Sequence, residues 1–543
     1  MGGMSGKILD DFQRRRQLQE ALEALGNTST ELELWAQVRE IAARYPPSLI
    51  LAAMRRFLDT SSSQLRGGLG RLATLLPREE TIALLLQEAR NRSNPTGARL
   101  TAALILERFL EVSVPPGLMS DLQNPEVVVY QSLEEALADA RAHRHVLLEY
   151  VQQMRRESEE VAHLVMGLLE RFPPRERIPL LRLIAHDARL GVAQTAMERL
   201  GRLRAPEALM PAMRALHSLA IDLPPDRADL AERSLRKLRF AAGVAFQPQR
   251  ADGWRALVSP VDPQADQQLW FIYTGPEGPS QARPPELDAP PSTLLLRLRL
   301  NRATGLVDAL AHEGLSPQQL PPPRQVGEFM SIALADGLTS LFLELEPGRG
   351  QQLLRRALEL HWQRPVWHPL PPEYTLYAEF LWSWQAAPQE GRWPEAAGRG
   401  ISDPGDGFDG RQALEAATAR LLRHPAMVGW IPMAPALQDA VEPLDGEADP
   451  QTLAQAAAEI RERLFPTQRE AELRHRLATA LNAQAEWLQV AGFPALARDA
   501  ARIAASLQRL PLAEHPLPLL MVQLGLSILV NRARSSTSAP TSP

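Results

Sequence analysis

The sequence predicts a mainly α chain in three parts: a stack of repeated helix pairs, a small α+β domain with a short antiparallel sheet, and a C-terminal helical bundle. Three observations carry this. Apolar residues keep helical spacing through residues 1–245, broken by short Pro-, Asp- or Ser-bearing turns. One phrase returns within that region, as "LERFLEV" from Leu106, "LERFPP" from Leu169 and "MERLGRL" from Met197. Between residues 246 and 385 the pattern changes to β-branched, aromatic and alternating runs.

In the first region, Leu180, Leu181, Ile184 and Ala185 form one helical face, and Val192, Ala196, Met197 and Leu200 another. Breaks such as "RYPPS", "DTSSSQ", "SVPPG", "RFPPRER" and "DLPPDR" separate elements of about 10–15 residues, the length of solenoid helices. Arg71, Arg108, Arg171 and Arg199 hold similar places near helix ends. They are spaced so that one degraded repeat falls around "LEEALADARAHRHVLLEYVQQM". A period of roughly 28–37 residues is that of a two-helix unit, which buries its apolar face only against neighbouring copies. The recurring arginines are expected to pack and cap helix ends.

The segment Pro179–Leu216 resembles a HEAT repeat of the short bacterial kind. Asp187 in "IAHDARLGV" matches the turn after the family's first helix. Ala193, Ala196, Leu200 and Gly201 match its second helix, and Pro206, Glu207, Ala208 and Leu209 match the opening of the next repeat. Ala193 departs from the arginine common there in the family. The resemblance covers about 40 residues well and thins over the rest of the first 240. It implies a HEAT-like α-solenoid for residues 1–245 and says little about activity.

In residues 246–385, "WRALVSPV" and "QLWFIY" read as a hairpin, with "DPQADQ" as its turn. "TLLLRLRLNR" alternates: Leu294, Leu296, Leu298 and Leu300 on one face, Arg297, Arg299 and Asn301 on the other, a half-buried strand. Apolar positions from Val326 to Leu345 keep helical spacing, with Gly337 as a weak point. Helices are expected over Arg349–Trp362 and after Pro371–Pro372. Residues 386–411 read as a flexible loop. Residues 412–534 read as a helical domain, with two long amphipathic helices from Pro450 and a last apolar one. Residues 535–543 have the composition of a disordered tail.

The net charge of −5 gives no global attraction to nucleic acid or anionic lipid. Lysine occurs only at Lys7 and Lys237, so arginine carries nearly all of the 59 basic side chains, spread among Glu and Asp. The absence of cysteine excludes disulfides, thiol catalysis and zinc–thiolate sites. The N-terminus lacks the apolar core of a signal peptide. The run Leu517–Val530 is too short to span a membrane and reads as a buried terminal helix. The expected location is the cytoplasm.

No GxGxxG, P-loop, GxSxG or HExxH motif occurs. His361 and His368 are separated by Pro365 and have no carboxylate pair at metal-site spacing. His143, His145 and His163 read as surface histidines. Asp403, Asp406 and Asp409, with Glu415, step by three rather than the two of a calcium loop. Trp254, Trp270, Trp362, Trp367, Trp382 and Trp384 read as core of the middle domain, with an aromatic pocket as the alternative. No catalytic residue, metal or cofactor is assigned.

The expected function is a non-enzymatic protein–protein interaction scaffold or adaptor. The alternatives are small-ligand sensing by the Trp-rich domain, or action on nucleic acid or a chromophore on a HEAT-like frame. The charge argues against nucleic acid, and the sequence leaves the oligomeric state open.

Overall fold

A computed structural model describes residues 3–114, 125–275, 287–333, 339–384, 410–432 and 450–537, apart from 29, 61, 92, 245, 249, 288 and 367. The chain is mainly helical and forms two compact units, Met1–Phe246 with Pro279–Ala289, and Gln247–Gly278 with Pro290–Pro543.

The first unit runs through α1 (Gly3–Ala24), α2 (Glu31–Arg44), α3 (Pro47–Phe57), α4 (Ser63–Thr74), α5 (Arg78–Arg90) and α6 (Thr96–Arg108). It continues through α7 (Pro125–Ala140), α8 (His145–Arg156), α9 (Glu159–Leu169), α10 (Arg177–Ile184), α11 (Leu190–Leu200), α12 (Pro206–Asp222) and α13 (Pro225–Ala242). The polar breaks in the sequence are helix starts. Thr30 and Ser62 accept hydrogen bonds from the backbone N–H of Glu33 and Leu65, each at 3.2 Å, and so satisfy donors that have no partner inside the helix. Prolines open α3, α12 and α13, where the missing N–H costs no hydrogen bond. Gly243 ends α13 in the left-handed region at φ +65°.

Helices two apart in sequence pack together: α1 on α3 and α3 on α5, α2 on α4 and α4 on α6, α8 on α10 and α10 on α12, α7 on α9, α9 on α11 and α11 on α13. The apolar faces expected on α10 and α11 are buried, with Leu180, Ile184, Val192, Ala196 and Leu200 fully enclosed. Side-chain bonds cross between these helices at an offset close to the sequence repeat, from 29 to 40 residues. Arg182 donates to Ser218 Oγ at 2.9 Å and pairs with Asp222 at 3.2 Å, both buried. Arg227 donates to the carbonyls of Asp187 and Ala188 at 2.5 and 2.7 Å. Arg199 donates to the carbonyl of Met166 at 2.6 Å, and Arg78 to that of Leu110 at 2.6 Å.

The second unit holds a six-stranded antiparallel sheet of β1 (Trp254–Val258), β2 (Asp266–Thr274), β3 (Thr293–Asn301), β4 (Gly305–Glu313), β5 (Phe329–Ala333) and β6 (Thr339–Leu345), in the order β4-β3-β2-β1-β6-β5. The expected hairpin is β1–β2, with Leu257 opposite Trp270. The alternation in β3 holds: Leu294, Leu296, Leu298 and Leu300 are buried, while Arg299 is exposed. Helices α14 (Pro347–Trp362) and α15 (Pro372–Leu381) pack on the sheet. Gly350 lets α14 approach closely, since a Cβ there would lie 3.0 Å from both Ala256 and Phe271. On the opposite face Leu257, Trp270, Ile272, Met330 and Phe342 cluster under Leu320 and Leu315.

The sequence expectation fails over Val326–Leu345, where the structure has β5 and β6 rather than a helix. Phe342, Leu343, Glu344 and Leu345 are all buried, so both faces of β6 are covered and its apolar residues do not alternate. A continuous apolar run of this kind is compatible with either period. Gly337 lies outside the described residues. Strand β4, "GLVDALAHE", carries Ala, Asp, His and Glu, which are poor strand formers, and its pairing with β3 outweighs that composition.

The C-terminal part of this unit contains α16 (Arg411–Leu422), α17 (Pro450–Leu464), α18 (Glu470–Val490), α19 (Pro494–Leu507) and α20 (Pro516–Thr537). A long helix more than expected precedes the last apolar one. That last helix runs through Thr537, into the segment read as a tail. Residues 385–409, covering most of the expected loop, and 538–543 lie outside the described residues. The turn between β1 and β2 is held by distant side chains. Gln484 Oε1 accepts from Val261 N at 2.7 Å, and Trp430 Nε1 donates to Val261 O at 2.7 Å.

Candidate functional site: a polar seam in the helical unit

Helices α2, α4, α6, α7 and α8 bring a set of charged side chains together. Arg71, in the last turn of α4, reaches Glu31 at 3.0 Å and Glu149 on α8 at 3.9 Å. Gly67 makes room for this, since a Cβ there would meet the Arg71 guanidinium at 3.0 Å and Glu149 Oε2 at 3.8 Å. Arg66, on the same helix, pairs with Glu135 on α7. Arg108, at the end of α6, lies in the field of Glu157, Tyr150 and Arg66.

Arg108, His145, Glu149 and Tyr150 are half-buried, and their proton affinities follow. Burial raises the Glu149 carboxyl, and Arg71 opposes it only in part. Burial raises the Tyr150 phenol, with Arg108 opposing. Burial also lowers the Arg108 guanidinium to about 10. His145 is lowered to about 4 by burial, with a further push from His143, whose ring centre is 5.8 Å away. Shifted groups concentrate where a surface is built for binding or chemistry. This seam can offer a neutral imidazole, a phenol and partly desolvated guanidinium groups to an incoming partner. Tyr and Arg are the residue types that most often anchor protein interfaces. Arg66 and Arg71 are already paired with carboxylates, which disfavours the phosphate contacts that nucleic-acid binding needs.

A second polar cluster lies at the turn between α10 and α11. Asp187 receives Arg189 Nε at 2.9 Å, a second guanidinium nitrogen at 2.8 Å and the Arg189 backbone N–H at 2.9 Å. Burial works against the Asp187 charge, but the hydrogen bonds from Arg189 outweigh it and hold the carboxyl below its ordinary range.

The recurring arginines divide. Arg71, Arg108 and Arg199 sit in last turns, whereas Arg171 lies just past the end of α9 and covers Tyr130, with 5.8 Å from its guanidinium carbon to the ring centre. His143 and His145 come together, while His163 sits on α9 beside Glu159 at 3.7 Å. His145 is half-buried rather than a surface histidine. His361 is buried, and each ring nitrogen faces a backbone carbonyl, of Leu306 and His368, at 2.9 Å, leaving neither free for a metal. Asp403, Asp406 and Asp409 lie outside the described residues, and Glu415 is exposed on α16.

Trp254, Trp270, Trp382 and Trp384 are buried core residues, Trp362 is half-buried, and Trp367 lies outside the described residues. An open groove of about 590 Å³ runs along one side of α5, past Ala83, Leu86, Gln87, Arg90 and Asn91, without converging titratable groups. Among the described residues no three His, Asp or Glu side chains form a metal cluster, and no helix is long and apolar enough to cross a membrane.

Sequence reasoning missed Arg66, Glu149 and Tyr150. Glu149 and Tyr150 fall in the stretch "LEEALADARAHRHVLLEYVQQM", where a polar pair interrupts the apolar pattern. No family model, curated protein or solved structure matches this chain.

Proposed function

We propose that the chain is a non-enzymatic interaction scaffold in which residues 1–245 form a HEAT-like α-solenoid that docks a protein partner. The observation that carries this reading is the set of side-chain bonds between helices at offsets of 29–40 residues, together with the packing of helices two apart. That combination is what a stack of two-helix units requires. The Asp187 turn and the small residues Ala193 and Ala196 are buried at the α10–α11 junction, in keeping with the HEAT resemblance of Pro179–Leu216. The exposed positions of α13 include Asp229, Glu232, Arg233, Arg236 and Lys237, with Phe240 also exposed near its end. The seam of Arg71, Arg108, His145 and Tyr150 is the docking surface in this reading, and cytoplasmic location remains part of the proposal.

The test is affinity capture of the tagged full chain from nuclease-treated lysate of its own host, beside the variants Tyr150→Ala and Arg108→Ala. The expected result is a near-stoichiometric protein retained by the parent chain and reduced at least tenfold by either variant at unchanged melting temperature. The absence of an enriched protein with the parent chain overturns the scaffold reading. Retention by both variants moves the contact away from this seam.

A further inference from the structure

Strand β4 ends the six-stranded sheet, and part of its outer edge is open. At the Gly305 end the Leu306 carbonyl faces His361 Nδ1 of α14 at 2.9 Å, and a shift in the register with β3 leaves Val307 outside the ladder as a bulge. Beyond it, from Asp308 to Glu313, the pairing with β3 is regular. Gly314 N–H donates to the carbonyl of Thr293, on β3, at 3.1 Å. Backbone groups alternate in direction along a strand, so those of His312 and Leu310 also face β3, and those of Ala311 and Ala309 face outward. The Ala309 N–H meets no strand there and donates to the Asp308 carboxylate at 2.9 Å. Among the described residues no backbone group bonds to Ala309 or Ala311 from outside the sheet.

An open edge is a template for another strand. Its side chains specify which strand fits. Leu310 stands in the middle and is 46% exposed, with Asp308 two residues before it and His312 two residues after. All three share the sheet face of Arg297 and Trp270, because Leu310 lies opposite Arg297 and Arg297 opposite Trp270. Laid antiparallel to a second β4 about Leu310, the pattern is self-complementary. Leu310 meets Leu310, Asp308 meets His312, and on the other face Ala309 meets Ala311. The same register brings each outward Ala309 N–H to an Ala311 carbonyl and each Ala311 N–H to an Ala309 carbonyl, while the Leu310 pair is of the close, non-hydrogen-bonded kind. An axis at Ala311 or His312 would set Leu310 against His312 or Gly314 and lose this match.

We propose that β4 pairs with β4 of a second copy of this chain about a two-fold axis at Leu310, which joins two six-stranded sheets into one. Such an interface uses the same patch on both copies and closes on itself. On pairing, the Ala309 N–H passes from the Asp308 carboxylate to the facing strand, and the carboxylate is released to the facing imidazole. A single short strand pair buries little surface, so the association is weak and depends on concentration. The inference concerns the second unit and is independent of the scaffold reading.

The experiment is sedimentation velocity of the purified full chain over a wide range of concentration, beside Ala311→Pro and Leu310→Glu. Ala311→Pro removes an outward N–H and leaves the ladder with β3 intact, since an edge strand accepts proline on its solvent side. Leu310→Glu sets two carboxylates against each other across the axis. The expected result is a parent dimer at high concentration, weakened about tenfold or more by either change. The chain has no cysteine, so Leu310→Cys reads the register directly. A non-hydrogen-bonded cross-strand pair lies within disulfide reach. Oxidation should link Leu310→Cys into a dimer and leave Val307→Cys, 37% exposed in the bulge, as a monomer. This arm decides the matter even where Ala311→Pro fails to fold. A parent chain that stays monomeric at every concentration overturns the proposal. So does a dimer that survives Leu310→Glu, or one in which Val307→Cys links as readily as Leu310→Cys.

Discussion

The two units are held together over different distances along the chain. In the first, many polar bonds between helices span 29 to 40 residues, and those of α4 to α7 and α8 span 69 to 78. In the second, Val258 at the end of β1 and Val261 in the turn after it are tied to Trp430, Gln484 and Trp487 across 169, 223 and 229 residues. A stack of local units can lose one joint and keep the rest, because each unit touches only its neighbours. A sheet whose central turn is clasped by a helix more than 200 residues away must gain or lose both together, since the closure entropy is recovered only when the whole forms.

The largest expected effect breaks the distant tie. Trp487 is fully buried, and its ring nitrogen points to the carbonyl of Val258 at 3.5 Å. Trp487→Ala removes a large side chain from a packed site, at a cost of about 4 kcal/mol. The loss is expected to reach β1 and β2 as well as α18. Hydrogen exchange read by mass spectrometry should show the sheet and the C-terminal helices losing protection together while α1–α13 keep theirs. Protection retained in β1–β3 would show that the sheet stands without its clasp.

The matching break in the first unit is Arg182→Met, which removes one side of the buried Arg182–Asp222 pair, at a cost of about 3 kcal/mol. Here exchange should rise in α10 to α13 and fall off with distance, reaching α1–α5 little. A uniform loss across the unit would contradict a nearest-neighbour stack. The double change Arg182→Met with Asp222→Leu should recover much of the loss, because it removes both members of the buried pair.

Acid provides a third comparison. His515 is buried, its Nδ1 accepts from Leu517 N at 3.1 Å, and its Nε2 contacts Ser506 Oγ at 2.8 Å. Ser506 Oγ gives its own proton to the Ile503 carbonyl at 2.7 Å, so the ring donates from Nε2 and accepts at Nδ1, the neutral form. Burial, with Arg474 adding, lowers this His to about 4. A folded value below the unfolded one means that the stability is complete above about pH 6.5 and fades as pH falls toward 4, by about 3 kcal/mol in all. His515→Gln should flatten that acid slope in urea melts of the second unit. An unchanged slope would place the acid sensitivity elsewhere.

The same contrast explains what could be read from the sequence. The helical character of the first unit and the α10–α11 faces were legible, because apolar residues at helical spacing mark the face that each helix buries. The β1–β2 hairpin and the alternation of β3 were legible because their partners are near or their second face is polar. Strand β6 was not, since a strand covered on both faces loses its two-residue period, and the short edge strand β5 buries only Met330. The clasp of Gln484 on Val261 was not, because nothing in either segment refers to the other 223 residues away. The seam was half legible: Arg71 and Arg108 stood out through repetition, while Glu149 and Tyr150 became visible only when α8 was placed beside α4 and α6.

The smallest expected effect sharpens that point. Arg199 is among the side chains that made the repeat visible, yet its partners are the carbonyl of Met166 and Glu170, a carboxylate whose side chain is 62% exposed. Arg199→Met keeps the apolar stem and gives up one carbonyl bond and a water-screened ion pair, so the cost should be about 1 kcal/mol or less. Arg182, by contrast, carries a buried pair without belonging to the recurring phrase. If urea melts rank Arg199→Met above Arg182→Met, repetition marks energy. The structure argues the other order, in which repetition marks equivalent surroundings and burial decides the cost.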